Sequence, residues 1–415
     1  MTDGVAQDRA RFADVLRVAE FRVLLAAQAQ SRAGDQVARV ALALLVFGQT
    51  SSPALTALVY ALTYLPPLLA APLLAGLADR YPRRTVMTVT DLLRAGLVAV
   101  MAIPAVPLVG IVILLAAMTC LQPLFSAARS ATLPAVLPGD RFPVGMSIAS
   151  TTDYVSQIAG FTLGGVLVAG LGGPRTALLV DAGTYLVSAG LIRWGAGVHR
   201  PAGDHDTGRR PRFTLAAIGL LRQDRRLAGL TALVWMYGFY LAPAALAAPY
   251  AHQVGAGEAA VGILTAADLP GAMAGTLLLA RIPPAFRQRL MAPFALLTGL
   301  PLLAAAAAPP LPVMIALCAA SGFFASYVTL AQVAFTRLVP DVLRARALGV
   351  AAAGLQSAQG LGVLMAGVIA EIVPPSASIA VCAATGLAGA ALIRLADRSA
   401  RTGDRRASPV SPSAG

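Results

Sequence analysis

Five aspartates stand inside long apolar runs: Asp35, Asp91, Asp153, Asp181 and Asp268. An acid at the centre of a membrane-spanning helix costs about 2.5–3.5 kcal/mol on insertion scales, so each needs a partner or an aqueous cavity. The chemistry open to such a group is proton uptake and release as its surroundings change. Asp35 and Asp268 fall nearest the middle of their runs. Arg32 and Arg39 stand three and four residues from Asp35, on overlapping helix faces. Two readings follow for Asp35: a carboxylate that exchanges protons, or a permanent Asp35–Arg39 ion pair. Asp91 has Arg94 one turn on, which favours a structural pair. Asp181 lies close to the end of its run and reads as a packing or hydrogen-bonding acid. Asp153, beside Tyr154 and one turn before Gln157, fits either role. The proton-coupling candidates are therefore Asp35, Arg39, Asp153 and Asp268, with Asp35 first.

A second group is aromatic. Trp235, Met236, Tyr237, Phe239 and Tyr240 put five large side chains into six positions of a chain that is only 6% aromatic. Aromatic rings bind by area and stacking, so Trp235, Tyr237 and Tyr240 are expected to wall a cavity for a large apolar or aromatic small molecule. Core packing is the competing reading. Gln157 and Gln359 could donate hydrogen bonds to the same ligand, or join helices to one another.

Positioning these groups falls to membrane helices. The 415 residues are 57% hydrophobic and 12% charged, with a mean hydropathy of +0.73. Soluble domains carry about 25% charged residues. Twelve spans of about 20 residues would use ~240 residues and leave short loops. All 32 basic residues are arginine. Without lysine the chain carries no P-loop ATPase and no Schiff-base chemistry. Cys120, Cys318 and Cys382 sit in apolar runs, and the three histidines are scattered, so no metal site, cofactor or enzyme activity is expected.

Spans are expected near 22–47, 54–79, 85–105, 108–136, 142–171 and 176–196, then 227–250, 258–281, 290–308, 311–337, 345–373 and 377–396. Residues 1–21 form a cytoplasmic N-terminal segment, with a short interfacial helix through Phe12, Val15 and Leu16. The even-numbered links carry the arginines, among them Arg80, Arg83, Arg84, Arg141, Arg281, Arg287, Arg289, Arg344 and Arg346. The odd links are short and nearly uncharged, and Arg175 alone falls on their side. The positive-inside rule then puts both termini in the cytoplasm, and the net charge of +13 is topological, with no nucleic-acid partner. Residues 197–226, with Arg209, Arg210 and Arg212, form a cytoplasmic linker between bundles at 22–196 and 227–397. Residues 398–415 are expected to be a disordered tail. A shift of about 202 residues lays Pro138 on Pro340, Gln157 on Gln359, Gly160 on Gly362 and Gly165 on Gly367, which supports two related halves.

The link after span two reads Ala75-Gly76-Leu77-Ala78-Asp79-Arg80-Tyr81-Pro82-Arg83-Arg84. It resembles the G-x-L-A-D-R-x-G-R-R signature of the major facilitator superfamily, with Ala75 and Pro82 in place of two glycines. The resemblance spans roughly residues 15–400. It implies twelve transmembrane helices in two pseudo-symmetric six-helix bundles around a midplane cavity, and a cytoplasmic latch. Asp79 and Arg80 are expected to carry that latch, with Arg83 and Arg84 serving mainly as orientation charges. Ser31-Arg32-Ala33-Gly34-Asp35 and Ala128-Arg129-Ser130-Ala131-Thr132-Leu133-Pro134 resemble the enterobactin-exporter and macrolide-efflux branch. Gly160-Phe161-Thr162-Leu163-Gly164-Gly165 is similar to the antiporter signature G-P-x-x-G-G, with Phe161 at the proline. The resemblance implies a monomer in a bacterial inner membrane exporting a small organic molecule by proton antiport, with membrane lipid as its surroundings. A proton-coupled symporter importing a nutrient or lipid-like solute is the alternative, ahead of a non-transporting scaffold or sensor.

Overall fold

The computed structural model describes residues 12–170, 172–199, 219–221 and 223–407. The linker arginines Arg209, Arg210 and Arg212 lie outside the described residues, as does the end of the tail from residue 408. Every regular element described is helical. In chain order they are α1 (Phe12–Leu16), α2 (Ala19–Thr50), α3 (Pro53–Ala61), α4 (Leu65–Arg80), α5 (Arg83–Met101), α6 (Leu108–Val136), α7 (Arg141–Gly170) and α8 (Pro174–Gly195). Then come α9 (Arg225–Trp235), a 3-10 turn (Met236–Leu241), α10 (Ala242–Ala245), α11 (Ala247–Gln253), α12 (Glu258–Ala266), α13 (Asp268–Arg281) and α14 (Pro284–Leu303). The last four are α15 (Leu311–Ala325), α16 (Tyr327–Leu338), α17 (Asp341–Ile369) and α18 (Pro375–Ala407).

Among the described residues, eight helical runs are long and apolar enough to cross a membrane. Four other helices, α2, α5, α7 and α8, are long enough as well but carry the buried acids, arginines and amides that lower their hydropathy. Together they make twelve crossings. The four less apolar helices are the ones that hold Asp35, Asp91, Asp153 and Asp181. Large apolar side chains point outward where lipid would cover them, as at Leu73 (80% exposed), Trp194 (86%) and Ile372 (84%).

Four expected spans are broken: the tenth parts at Ser326, whose hydroxyl donates to the Phe323 carbonyl, and proline explains the other three. A proline has no N–H to donate to the carbonyl four residues earlier. Pro66 and Pro67 interrupt the second span at residues 62–64. Pro243 and Pro249 divide the seventh into a 3-10 turn and two short helices, and α10 ends at Ala245, four residues before Pro249. Pro270 lies four residues after Ala266, where α12 stops. Helix α18 continues to Ala407, ten residues into the stretch expected to be a disordered tail; its alanines and arginines are good helix formers.

The chain forms two compact units. Unit 1 comprises Met1–His205 and Ala247–Ala266; unit 2 comprises Asp206–Leu246 and Ala267–Gly415. The boundaries fall at the proline-associated breaks, Leu246 and Ala267. Unit 1 has a core between α2, α5, α6 and α8, including Val37, Leu45, Val98, Ile111, Leu178 and Tyr185. Within it, α12 packs across α7 at a pair of glycines. A Cβ on Gly262 would overlap the Phe161 carbonyl oxygen, and one on Gly165 would lie 2.8 Å from the Ala259 carbonyl oxygen. The His252 ring of α11 meets the Phe47 ring of α2 edge-on at 5.6 Å. In unit 2 the core gathers Leu233, Leu279, Phe294 and Tyr327, with Phe294 and Phe323 flanking Phe324 at 5.4 Å each.

Candidate proton-coupling and transport site

One turn of α2, the Ser31-Arg32-Ala33-Gly34-Asp35 segment, is where three helices of unit 1 converge. A Cβ on Gly160 would overlap the Ala33 carbonyl oxygen, so α7 approaches backbone to backbone. A Cβ on Gly34 would overlap Thr184 Oγ1 and Asp181 Oδ1, so glycine there lets α8 close in. The Asp35 carboxylate then reaches α5 and α8 together. Arg94 Nη2 donates to Asp35 Oδ1 at 3.1 Å, and the Tyr185 hydroxyl donates to the same oxygen. Arg32 Nη1 stands 3.9 Å from Asp35 Oδ2. The Arg94 guanidinium also lies over the Tyr185 ring, 4.3 Å from its centroid, a cation–π contact that strengthens as water is excluded.

Two more acids border Arg94. Ser188 Oγ donates to Asp91 Oδ2 at 2.6 Å, and Thr184 Oγ1 donates to Asp181 Oδ1 at 3.2 Å. Asp91 and Asp181 are both fully buried, whereas the Asp35 side chain keeps 11% exposure. Asp91 Oδ1 and Asp181 Oδ2 have no hydrogen-bond partner among the described residues. Three carboxylates thus share one buried guanidinium, with Arg32 as a second cation only at the Asp35 edge. A cavity of about 20 Å³ beside Asp35, Arg39, Arg94, Thr119 and Gln122 is large enough for one water.

These contacts revise two expectations and keep Asp181 as a hydrogen-bonding acid. Arg39 does not pair with Asp35. Its guanidinium sits among aromatic rings, 5.4 Å from Tyr60, 6.0 Å from Tyr64 and 5.7 Å from Phe161, because the next turn of α2 faces α3 and α7. Arg94 turns away from Asp91 to serve Asp35, and Asp91 takes Ser188 instead. Asp181 belongs to the polar interior. The sequence offers Arg94 only to Asp91 and does not single out Tyr185 or Ser188, although Asp181, Thr184, Tyr185 and Ser188 form a polar stripe at i, i+3, i+4 and i+7 that marks one face of α8. Ser188→Ala should leave Asp91 Oδ2 buried without its donor and lower stability by about 1–3 kcal/mol. Thermal unfolding of the purified protein measures this, and an unchanged midpoint would mean that the bond is not made.

Asp153 accepts from Gln28 Nε2 at 2.6 Å, joining α7 to α2. Gln157 Nε2 bonds weakly to the Asp153 carbonyl at 3.4 Å within its own helix. In unit 2, Asp268 begins α13 just after the break and accepts from the Tyr237 hydroxyl at 3.3 Å. Each unit therefore contains an aspartate bonded by a tyrosine, Asp35 with Tyr185 and Asp268 with Tyr237. Trp235 Nε1 donates to the Ala351 carbonyl at 3.1 Å, and its ring lies against Gly354. Tyr240 departs from the expected cavity wall. It is 5% exposed and its ring meets Gly299 and Gly386, so it is packed into the unit 2 core. Trp235, Tyr237 and Gln359 remain half-buried.

At the link after α4, Asp79 lies in the last helical turn and its side chain is outside the described set. Arg80 is exposed. Arg83 and Arg84 do more than orient the chain. Arg83 Nη1 donates to the Ala131 carbonyl at 2.5 Å and Arg84 Nη1 to the Ala196 carbonyl at 3.3 Å, tying α5 to the ends of α6 and α8. Cations at helix C-termini satisfy orphan carbonyls there. Among the described residues no group of three or more His, Cys, Asp or Glu side chains could hold a metal ion.

An all-helical membrane chain with a charged cluster in the heart of one helical unit has the architecture of a secondary transporter. Residues 24–284 and 227–413 match the Major Facilitator Superfamily, and the chain belongs to that family. It is 29% identical over 380 residues to the multidrug efflux pump Tap of Mycobacterium tuberculosis, covering 84% of this chain and 86% of that one. It is 30% identical over 170 residues to the uncharacterized MFS-type transporter YfiS of Bacillus subtilis, a match spanning 41% of this chain and only 40% of YfiS. The fold is that of the nucleoside transporter NupG, with a TM-score of 0.69, 13% identity and coverage of 90% and 98%. A bacterial homolog of the human lysosomal transporter Spinster is similar, with a TM-score of 0.70, 15% identity and coverage of 91% and 96%.

Proposed function

We propose that this transporter exports a small organic molecule from the bacterial cytoplasm in exchange for protons. The observation that carries the reading is the Asp35–Arg94–Tyr185 cluster. Asp35 is the one member of the three-carboxylate group with residual exposure, so it is the group through which a proton would enter. Protonation would release Arg94 to the deeper acids, and deprotonation would draw it back, so proton exchange is coupled to a shift between α2, α5 and α8. Asp153, which accepts from Gln28 with the Arg129 charge nearby, and Asp268, which accepts from Tyr237 and from backbone N–H groups at the start of α13, are the next candidates. The likeness to an efflux pump along most of the chain supports the outward direction, and the S-R-A-G-D segment supports the enterobactin-exporter and macrolide-efflux branch. Trp235 and Tyr237, with Gln157 and Gln359, are offered as substrate contacts, and Asp79 and Arg80 as the latch. We assign the protein to the inner membrane as a monomer with both termini cytoplasmic. Its two halves, 22–196 and 227–397, rock by alternating access.

The test is a substrate panel in everted membrane vesicles energised by an imposed proton gradient. Gradient-driven accumulation of a drug, siderophore or natural product inside everted vesicles is the expected result. Gradient-driven loss of solute from those vesicles would assign the opposite direction and make the protein an importer.

A further inference from the structure

In unit 2, the helices α9, α13, α14 and α16, with Ile393 and Arg394 from the middle of α18, surround a cavity of about 870 Å³. That volume lies within the ~300–1,000 Å³ range of small-molecule sites. Its rim carries Arg226, Arg287, Arg289, Arg337 and Arg394, and no acidic residue is among the residues lining it. Deeper in, the wall is apolar, with Leu230, Leu233, Leu279, Leu330 and Val333. Arg287 and Arg289 are held in place by the protein itself. Arg287 Nε and Nη2 donate to the carbonyls of Ile282 and Ala280 at 2.6 and 3.0 Å, at the end of α13. The Arg289 guanidinium lies 5.8 Å from the Phe286 ring centroid. Arg226 and Arg337 come from the first turn of α9 and the last turn of α16, on the same faces as the leucines below them.

We propose that this cavity binds an acidic phospholipid, with the phosphate among the arginines and an acyl chain between the helices. Orientation charge alone needs arginines near the membrane surface; it does not need five of them around a cavity with a leucine-lined wall. A soluble anion would use the rim and leave the apolar depth unfilled. A zwitterionic lipid would fill the depth but bring a second cation among five arginines, with no acidic side chain among the described lining residues to receive it. The acidic phospholipid satisfies both parts, in keeping with basic pockets between transmembrane helices at the cytoplasmic side. This site is separate from the Asp35 cluster and does not depend on the direction of transport.

The test uses the purified full-length chain in detergent, with lipid binding followed by native mass spectrometry. Phosphatidylglycerol should be retained at least tenfold more strongly than phosphatidylcholine of the same chain length. Arg226→Gln and Arg337→Gln should each weaken phosphatidylglycerol about fivefold, equivalent to the ~1 kcal/mol contributed by an arginine near an anionic surface, and leave phosphatidylcholine unchanged. Inorganic phosphate at the same concentration should not displace the lipid. Equal retention of the two lipids by the wild-type chain would overturn the proposal without recourse to any variant. So would unaltered binding in both variants. Displacement of phosphatidylglycerol by inorganic phosphate would overturn it in favour of a free phosphate site.

Discussion

Replacing Arg94 with methionine is expected to destabilise the protein by about 3–5 kcal/mol and abolish transport. The guanidinium is 4% exposed and bonds Asp35 directly, with Asp91 and Asp181 also within its field. Breaking a buried pair from one side leaves the other charge without compensation, which is why the loss exceeds the value of the pair itself. Methionine fills a similar volume, so little of the effect would come from a cavity. The companion experiment is Arg94→Met combined with Asp35→Asn. Because the two side chains are in contact, the double variant should recover about 0.5–3 kcal/mol relative to the sum of the single changes. Unfolding midpoints of the four proteins measure the coupling. Additive losses would mean that Arg94 and Asp35 do not interact.

Gly262→Val is the second large expected effect. The α12–α7 crossing leaves no room for a side chain, since a Cβ at Gly262 would overlap the Phe161 carbonyl oxygen and lie 2.8 Å from the Gly165 nitrogen. Overpacking of this kind costs about 1–3 kcal/mol, enough to shift a two-state equilibrium roughly 5- to 150-fold. If the packed crossing belongs to one state of the transport cycle, Gly262→Val should depopulate that state. Transport should fall, and labelling of a reporter at the exposed first residue of α12 (Glu258→Cys) should rise. Gly257→Ala is the control: nothing lies within 4 Å of its added Cβ, so labelling and transport should be unchanged. Equal behaviour of the two glycine variants would remove the crossing from the mechanism.

The hydropathy of the chain made the helical membrane fold legible, and α6 begins and ends at the expected residues 108 and 136. Internal breaks were less legible because an apolar run reads as continuous. Pro66, Pro67, Pro249 and Pro270 nevertheless marked the places where the ladder of backbone bonds fails. At the site, Asp35 was legible because an acid in an apolar run is costly wherever it points. Its partner was not. Local spacing offers Arg39 to Asp35 and Arg94 to Asp91, both at helical intervals, but the interhelical geometry overrides both pairings. Gly34 and Gly160 bring α8 and α7 against α2, and that approach sets which faces meet. Tyr240 illustrates the reverse difficulty: an aromatic cluster looks the same in sequence whether it lines a cavity or, as between Gly299 and Gly386, fills a core.

The most direct test of proton coupling through the Asp35 cluster is substrate movement by Asp35→Asn in proteoliposomes, with and without an imposed proton gradient. Asparagine keeps the shape of the side chain and can still accept from Arg94 and Tyr185, so the protein should fold and bind substrate. It has no titrating carboxyl group. If Asp35 carries the proton, Asp35→Asn equilibrates substrate down its own gradient but no longer accumulates it when a proton gradient is applied. Gradient-driven accumulation at the wild-type rate would contradict that role.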